Sequence, residues 1–120
     1  MKKNIIKGKS YKFAIEVVKV CKRLMTEKKE FVLSKQLLRS GTATGAIVRE
    51  AEYAESKKDF IHKLSIALKE VNEAEYWIDL LAYTDYLNDQ ATKVLKLTLK
   101  EILKTLITII KMSQANMHKK

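Results

Sequence analysis

Residues 56–84 read SKKDFIHKLSIALKEVNEAEYWIDLLAYT and carry the most regular apolar pattern in the chain. Apolar side chains recur there at alternating steps of four and three residues, at Phe60, Leu64, Ala67, Val71, Ala74, Ile78 and Leu81. This spacing is typical of a helix that packs nearly parallel to its neighbours along a narrow seam. Ser56 is followed three residues later by Asp59, as in a capping box, so we expect helix three to span about residues 57–84.

Two more segments show this spacing, one near each end of the chain. The seam of helix one is Phe13, Val17, Val20 and Leu24. The seam of helix four is Leu95, Leu99, Ile102, Leu106 and Ile109. Ser10 and Asn88 are candidate N-caps, because short polar side chains accept hydrogen bonds from the free amides at a helix start. We therefore predict helices over about residues 10–26 and 88–113, with flexible ends at 1–9 and 114–120.

Helix two, predicted over about residues 31–55, is less regular. Its seam positions are Leu37, Gly41, Thr44, Val48 and Ala51. Gly41 and Gly45 each cost about 1 kcal/mol relative to alanine in a helix interior. Missing side chains would let a neighbouring backbone approach closely, and a helix break at Gly41 is the alternative.

The composition favours one all-helical domain. The chain has 120 residues, 47% of them apolar, with no proline and three glycines. Short connections make sequential helices antiparallel, so we predict an all-α, antiparallel up-down-up-down four-helix bundle as a single domain over residues 1–120. The single Cys21 excludes an internal disulfide, and neither a secretory core nor a membrane span is evident, so we expect a cytoplasmic protein.

Basic charge is the most suggestive bulk property. The net charge is +10, and residues 1–30 hold ten Lys and Arg against three acids, whereas residues 59–87 are acidic. Cations form rows on helices one and four, at Lys12, Lys19, Lys22, Arg23, Lys93, Lys96, Lys100, Lys104 and Lys111. Such rows are expected for binding a polyanion such as RNA, although a solvated lysine face is the alternative. No base-reading motif or aromatic platform is evident beside them.

A second apolar face on helix three predicts self-association. Ile66 and Trp77 lie outside the core seam, together with Glu70 and Glu73 on the same side. We expect these four residues to form an interface between subunits, with Trp77 as an anchor, unless the core absorbs the apolar side chains. The apolar flank could instead bind a partner protein, which would make the chain an interaction or scaffold module.

No catalytic, cofactor or metal site is expected. Asp59 and His62 have the carboxylate-x-x-His spacing of di-iron bundles, but those sites need two such motifs. Cys21 lies on an apolar flank and is interpreted as a small hydrophobic residue. Glu50, Glu70 and Glu73 lack a partner nucleophile, so we expect them to form ion pairs. Their candidate partners are Lys63, Arg39, Arg49 or another subunit.

Several segments resemble the bacterial four-helix bundle family named for the 23S rRNA intervening sequence protein. They are residues 34–42, 51–52, 56–64, 66–70 and 73–77, including Lys-Lys-Asp-Phe at 57–60 and Glu-x-x-x-Trp at 73–77. The resemblance implies a four-helix bundle, a cytoplasmic bacterial protein and a ring-shaped homo-oligomer such as a pentamer. It also implies a distant relation to the accessory protein of diversity-generating retroelements, a basic bundle that contacts nucleic acid and a reverse transcriptase.

One segment departs from that family's pattern. Ala43-Thr44-Gly45-Ala46-Ile47 stands where the family commonly has Ser-Ile-Gly-Ala-Asn. A function carried by that serine and asparagine would be absent here, whereas the acidic position at Glu50 is retained.

Overall fold

The computed structural model describes residues 2–117 and contains four helices in that part of the chain. They are α1 (Lys2–Glu27), α2 (Val32–Ala51), α3 (Lys57–Tyr83) and α4 (Asp89–Met117). Each helix packs against the next, and α1 also packs against α4, as in an antiparallel bundle closed by its first and last helices. The body measures 55 × 22 × 20 Å. The four helices and the way they pack confirm the predicted all-α four-helix bundle. No helix in the described part is long and apolar enough to cross a membrane.

The apolar seams meet along the axis of the bundle. Every predicted seam position is buried except Phe60, which is half-buried near the end of the bundle where α2 connects to α3. Ile6 and Ser10 are also buried and extend the seam of α1 towards its start. The four-three spacing therefore identified the core-facing side of each helix.

Two of the predicted helix caps are confirmed. The Ser56 hydroxyl accepts a hydrogen bond from the Asp59 amide at 3.0 Å, and the Asp59 carboxylate accepts one from the Glu55 amide at 3.1 Å. The Asn88 side-chain carbonyl accepts a hydrogen bond from the Ala91 amide at 2.8 Å. Both contacts satisfy amides that the helix itself leaves free.

The boundaries differ from the prediction at three helix ends. Helix α1 begins at Lys2 with Ile6 buried, so the predicted flexible end is wrong for residues 2–9, and the prediction that Ser10 caps this helix is also wrong. Ser10 lies in the helix interior, where its hydroxyl donates to the Lys7 carbonyl at 3.2 Å. Helix α2 ends at Ala51, whereas α4 continues to Met117, so residues 114–117 are helical. The rest of the predicted C-terminal flexible end, residues 118–120, lies outside the described residues.

The glycines of α2 bring this helix close to α1. A Cβ atom on Gly41 would lie 2.8 and 2.9 Å from the two methyl carbons of Val17. A Cβ atom on Gly45 would lie 3.3 Å from the carbonyl oxygen of Ser10. Helix α2 is continuous through both glycines, so close packing is the correct explanation and the alternative of a break at Gly41 is wrong.

The start of α2 is held by a glutamate that the sequence did not point out. The Glu30 carboxylate accepts hydrogen bonds from the amides of Val32 at 3.2 Å, Leu33 at 3.1 Å and Ser34 at 2.7 Å. It also accepts one from the Ser34 hydroxyl at 2.8 Å. Burial opposes ionisation of this side chain, but the hydrogen bonds from Leu33 and Ser34 outweigh it, and the pKa of Glu30 lies below its ordinary value of 4.5.

Candidate nucleic-acid interface

The cations predicted to bind RNA fall into two groups, those that are paired with acidic neighbours and those that are not. Lys96 lies 2.7 Å from the Asp79 carboxylate and 3.7 Å from that of Glu75, and Lys100 lies 2.7 Å from Glu75. The hydrogen bond to Asp79 is the main reason that the pKa of Lys96 is raised. These contacts join α4 to the acidic part of α3. Lys96 and Lys100 therefore neutralise the carboxylates of Glu75 and Asp79. A phosphate group would have to compete with these carboxylates for the two lysines.

The remaining cations of α4 point into solvent. Lys93, Lys104 and Lys111 are exposed, and the ion pairs within residues 5–117 include none of them. The four α1 cations are also exposed and also absent from those ion pairs; they are Lys12, Lys19, Lys22 and Arg23. Seven of the nine predicted RNA-binding residues thus keep their charge available.

Six of these seven cations lie on the outward sides of α1 and α4, two helices that are adjacent in the bundle. The Lys9 ammonium lies 3.3 Å from the Glu101 carboxylate, which shows where α1 and α4 lie side by side. At about 100° per residue, Lys22 turns towards α2, whereas the other three α1 cations lie on the side of α4. On α4, Lys104 points away from the core, and Lys93 and Lys111 are turned slightly towards α3. We name the set the α1–α4 strip: Lys12, Lys19, Arg23, Lys93, Lys104 and Lys111. With a rise of about 1.5 Å per residue, it extends over roughly 35 Å.

The predicted subunit interface on α3 contains an ion-pair network within one chain. The Arg39 guanidinium of α2 lies 3.1 Å from a carboxylate oxygen of Glu70 and 2.6 Å from one of Glu73. The Trp77 indole donates to the same Glu73 oxygen at 2.9 Å. The Trp77 hydrogen bond, followed by Arg39, lowers the pKa of Glu73. Arg39 was one of the expected partners, and the carboxylates do not need another subunit for pairing.

The apolar members of that predicted interface are half-buried. Ile66 and Trp77 are each partly accessible, and Trp77 packs against the core. The Tyr76 and Trp77 rings meet edge to face, with their centroids 4.9 Å apart. The core therefore takes up part of this surface and leaves the rest exposed beside Tyr76.

A groove of about 510 Å³ runs between α1 and α2. Its exposed aromatic side chains are Tyr11 on α1 and Tyr53 in the turn that follows α2. The guanidinium carbon of Arg49 lies 5.3 Å from the centroid of the Tyr11 ring, within range of a cation–π contact. Glu50 lines the same groove. Two tyrosines 42 positions apart in sequence gave no periodic signal, so this aromatic surface was missed.

A second, larger cleft of about 1100 Å³ opens at the adjacent end of the bundle. Its lining is mainly apolar and includes Ile5, Val48, Leu64 and Ile109. Lys57 and Glu52 lie at its edge. Few polar groups point into this cleft, so it offers little that would fix the orientation of a ligand.

The residues that were considered as catalytic or metal-binding candidates are either part of the structure or exposed on the surface. Cys21 is fully buried, its thiol donates to the Ser34 carbonyl at 3.3 Å, and burial raises the pKa of the thiol to about 12. Such a thiol is unreactive, which agrees with its interpretation as a small hydrophobic residue. Asp59 is used in the cap of α3, and His62 is exposed. Within the described part of the chain, no group of three or more His, Cys, Asp or Glu residues could hold a metal ion.

Comparison with known proteins identifies relatives of the whole bundle. The family model of the 23S rRNA-intervening sequence protein matches residues 2–108. A crystal structure from Bacteroides thetaiotaomicron VPI-5482, described as a protein with unknown function from the S23 ribosomal protein family, superposes with a TM-score of 0.91. It is 53% identical in sequence, and the match covers 92% of this chain and 99% of that chain. No curated protein matches.

The family model reaches all four helices and includes the groove and every strip residue except Lys111, and it agrees with the resemblance carried by residues 34–77. A family match over most of the chain, together with this structural likeness, shows common descent rather than a shared fold alone. The chain belongs to the family of the 23S rRNA-intervening sequence protein.

Proposed function

We propose that this protein is a non-enzymatic RNA-associated bundle that contacts phosphate groups through the α1–α4 strip. The proposal rests on which cations of α1 and α4 are already paired with acids and which are not. Lys96 and Lys100 are paired with acids of α3, whereas the six strip residues are exposed and form no ion pair among the described side chains. Unpaired surface cations release counterions when they meet a polyanion, which is the main source of sequence-independent affinity.

Two acids limit where the RNA backbone can run along this face. Glu101 is paired with Lys9, so its charge is locally balanced. Glu16 lies on the same side of α1 as Arg23 by helical geometry. The phosphates would therefore follow the outer edge of the strip, where Lys12, Lys19 and Lys104 project, rather than the junction of the two helices.

Reversing three strip charges should weaken RNA binding at least tenfold. The variant is Lys12→Glu/Arg23→Glu/Lys104→Glu, and the measurement is fluorescence anisotropy with a labelled single-stranded RNA of about 20 nucleotides. Loss of three phosphate contacts should also reduce the slope of log affinity against log salt by about 2. Circular dichroism would show whether the helices are retained.

The matched control carries the same change of net charge on other faces, as Lys28→Glu/Lys35→Glu/Lys58→Glu. These three lysines are exposed and lie outside the strip. The control should bind within about threefold of the native protein, because the phosphate contacts are local at moderate salt. Equal weakening by both triple variants would reject the strip as the binding surface, and no binding by the native protein would reject the proposed function.

We also propose that the protein forms a homo-oligomer through apolar surface left outside the core. On the predicted α3 surface, Ile66 and Trp77 are only half-buried and the neighbouring Tyr76 is 59% exposed. Surface of this kind is commonly buried between subunits. Sedimentation equilibrium at micromolar concentration should give a multiple of the 13.9 kDa chain mass, and a monomer mass would contradict the proposal. Tyr76→Asp, at the exposed ring beside Trp77, should shift the distribution towards monomer, because it places a charge in this surface.

A further inference from the structure

The geometry points to a nucleobase-stacking site in the groove between α1 and α2. In this proposal, which rests on the RNA association proposed above, Tyr11 and Tyr53 hold an unpaired base of single-stranded RNA. Arg49 holds the ring of Tyr11 in position and supplies positive charge. The site therefore prefers single-stranded over double-stranded RNA, a preference that the α1–α4 strip alone does not supply.

The two tyrosine rings are exposed to solvent and lie outside the core. Tyr11 is 56% exposed and Tyr53 is 82% exposed, and both line the groove. Stacking of a base on an aromatic side chain contributes about 1–3 kcal/mol and depends little on base identity. Exposed tyrosines at a groove are consequently suited to bases that have left a duplex.

The floor of the groove consists of small side chains. Ala14, Gly45 and Ala46 line it, and α1 and α2 approach closely at Gly45, where a Cβ atom would lie 3.3 Å from the Ser10 carbonyl oxygen. The resulting space of about 510 Å³ lies within the usual range for small-ligand sites. Larger side chains on this floor would fill the volume that a base needs.

The polar groups around the groove match a base with its phosphate. The guanidinium of Arg49, at 5.3 Å from the Tyr11 ring centroid, is planar and always charged, so it can stack and also attract a phosphate. Glu50 is exposed, and a carboxylate accepts hydrogen bonds from amino groups on a base edge. The base edge would thus face Glu50, with the phosphate on the side of Arg49. Lys7, at the mouth, is already paired with Glu52 at 3.0 Å.

The groove and the α1–α4 strip are neighbours across one helix. Lys12 follows Tyr11 directly, and at about 100° per residue its side chain projects towards the strip while Tyr11 faces the groove. A single strand can therefore cross α1 with a base in the groove and its next phosphates near Lys12. The two surfaces would then act on the same RNA molecule.

The test is the double variant Tyr11→Leu/Tyr53→Leu, which removes the aromatic rings but keeps apolar bulk. Affinity for a labelled single-stranded RNA of about 20 nucleotides should fall about tenfold, within the range expected for lost stacking. Affinity for a blunt double-stranded RNA of the same length should stay unchanged, as should the salt slope, because no phosphate contact is removed. Tyr83→Leu is the matched control, since Tyr83 is 92% exposed at the opposite end of α3.

Two conservative variants separate stacking from folding defects. Tyr11→Phe/Tyr53→Phe should keep native affinity for single-stranded RNA, because the rings remain. Arg49→Lys keeps the charge but loses the planar guanidinium, and it should weaken single-stranded binding severalfold.

Three results would overturn the stacking site. They are native affinity of Tyr11→Leu/Tyr53→Leu for single strands, equal losses for single-stranded and double-stranded RNA, or an equal loss with Tyr83→Leu. In each case the RNA association stands if the reversal of Lys12, Arg23 and Lys104 still weakens binding at least tenfold. Absence of binding by the native protein to either form of RNA overturns both proposals.

Discussion

Replacing Gly41 with leucine should lower the free energy of unfolding by about 3 kcal/mol, the upper end of the usual cost of overpacking a core. The Cβ atom alone would lie 2.8 and 2.9 Å from the methyl carbons of Val17. Val17 is fully buried and β-branched, so its side chain cannot rotate away without meeting other core residues. The gain of about 1 kcal/mol in helix propensity over glycine does not offset this clash. Urea denaturation followed by circular dichroism measures the difference.

Two further variants show that the clash with Val17 is the cause. Gly8→Ala places a methyl group in α1 where nothing lies within 4 Å, and it should be neutral or stabilise by up to about 1 kcal/mol. Gly41→Ala should be less stable than helix propensity alone predicts. Val17→Ala should lower the free energy of unfolding less in the Gly41→Ala protein than in the native protein. A coupling below about 0.5 kcal/mol between these two positions would contradict the close approach.

Replacing Glu30 with alanine should lower the free energy of unfolding by about 2 kcal/mol at neutral pH, as for the loss of a strong helix cap. The carboxylate accepts three backbone hydrogen bonds from Val32, Leu33 and Ser34 at the start of α2. It is only 9% exposed, so water cannot fully replace it in the folded protein. The exposed Glu27→Ala variant at the end of α1 is the control and should change stability by less than about 0.5 kcal/mol.

The contribution of Glu30 to the free energy of unfolding should decrease as the pH falls. Its pKa in the folded protein lies below the ordinary 4.5, so the folded state favours the ionised carboxylate. The ionic part of its contribution is therefore present above the unfolded pKa and is lost as pH falls through the folded pKa. The stability difference between the native protein and Glu30→Gln should shrink between about pH 6 and about pH 3. A difference that stays constant over this window would show that the charge of Glu30 is not involved.

The helices and their core-facing sides could be predicted because both depend on local periodicity. A four-three pattern repeats over each helix, and a helix buries the side on which its apolar residues fall. The caps at Ser56 and Asn88 were equally local, since each involves an amide three residues away. The start of α1 was placed too late because its first turns carry more lysine than apolar residues, although Ile6 is buried.

The candidate sites were only partly predictable, because they depend on which outer side chains meet across helices. The rows of cations were visible in the sequence, but their division was not. Lys96 and Lys100 meet Glu75 and Asp79 only once the register of α3 against α4 is set. Similarly, Glu30 became a cap because a tight turn places its side chain over the start of α2.

The stretch from residue 56 to residue 84 determined the architecture by itself, together with the matching spacing in the other three segments. Periodicity acts within one helix and needs no knowledge of its neighbours, so the bundle followed from the sequence. Tertiary structure alone decided that Lys12 stays unpaired while Lys96 does not, and that Tyr11 and Tyr53 face one groove. Those outcomes depend on the rotation and register of packed helices, and between α1 and α2 the small residues Gly41 and Gly45 permit the close contact.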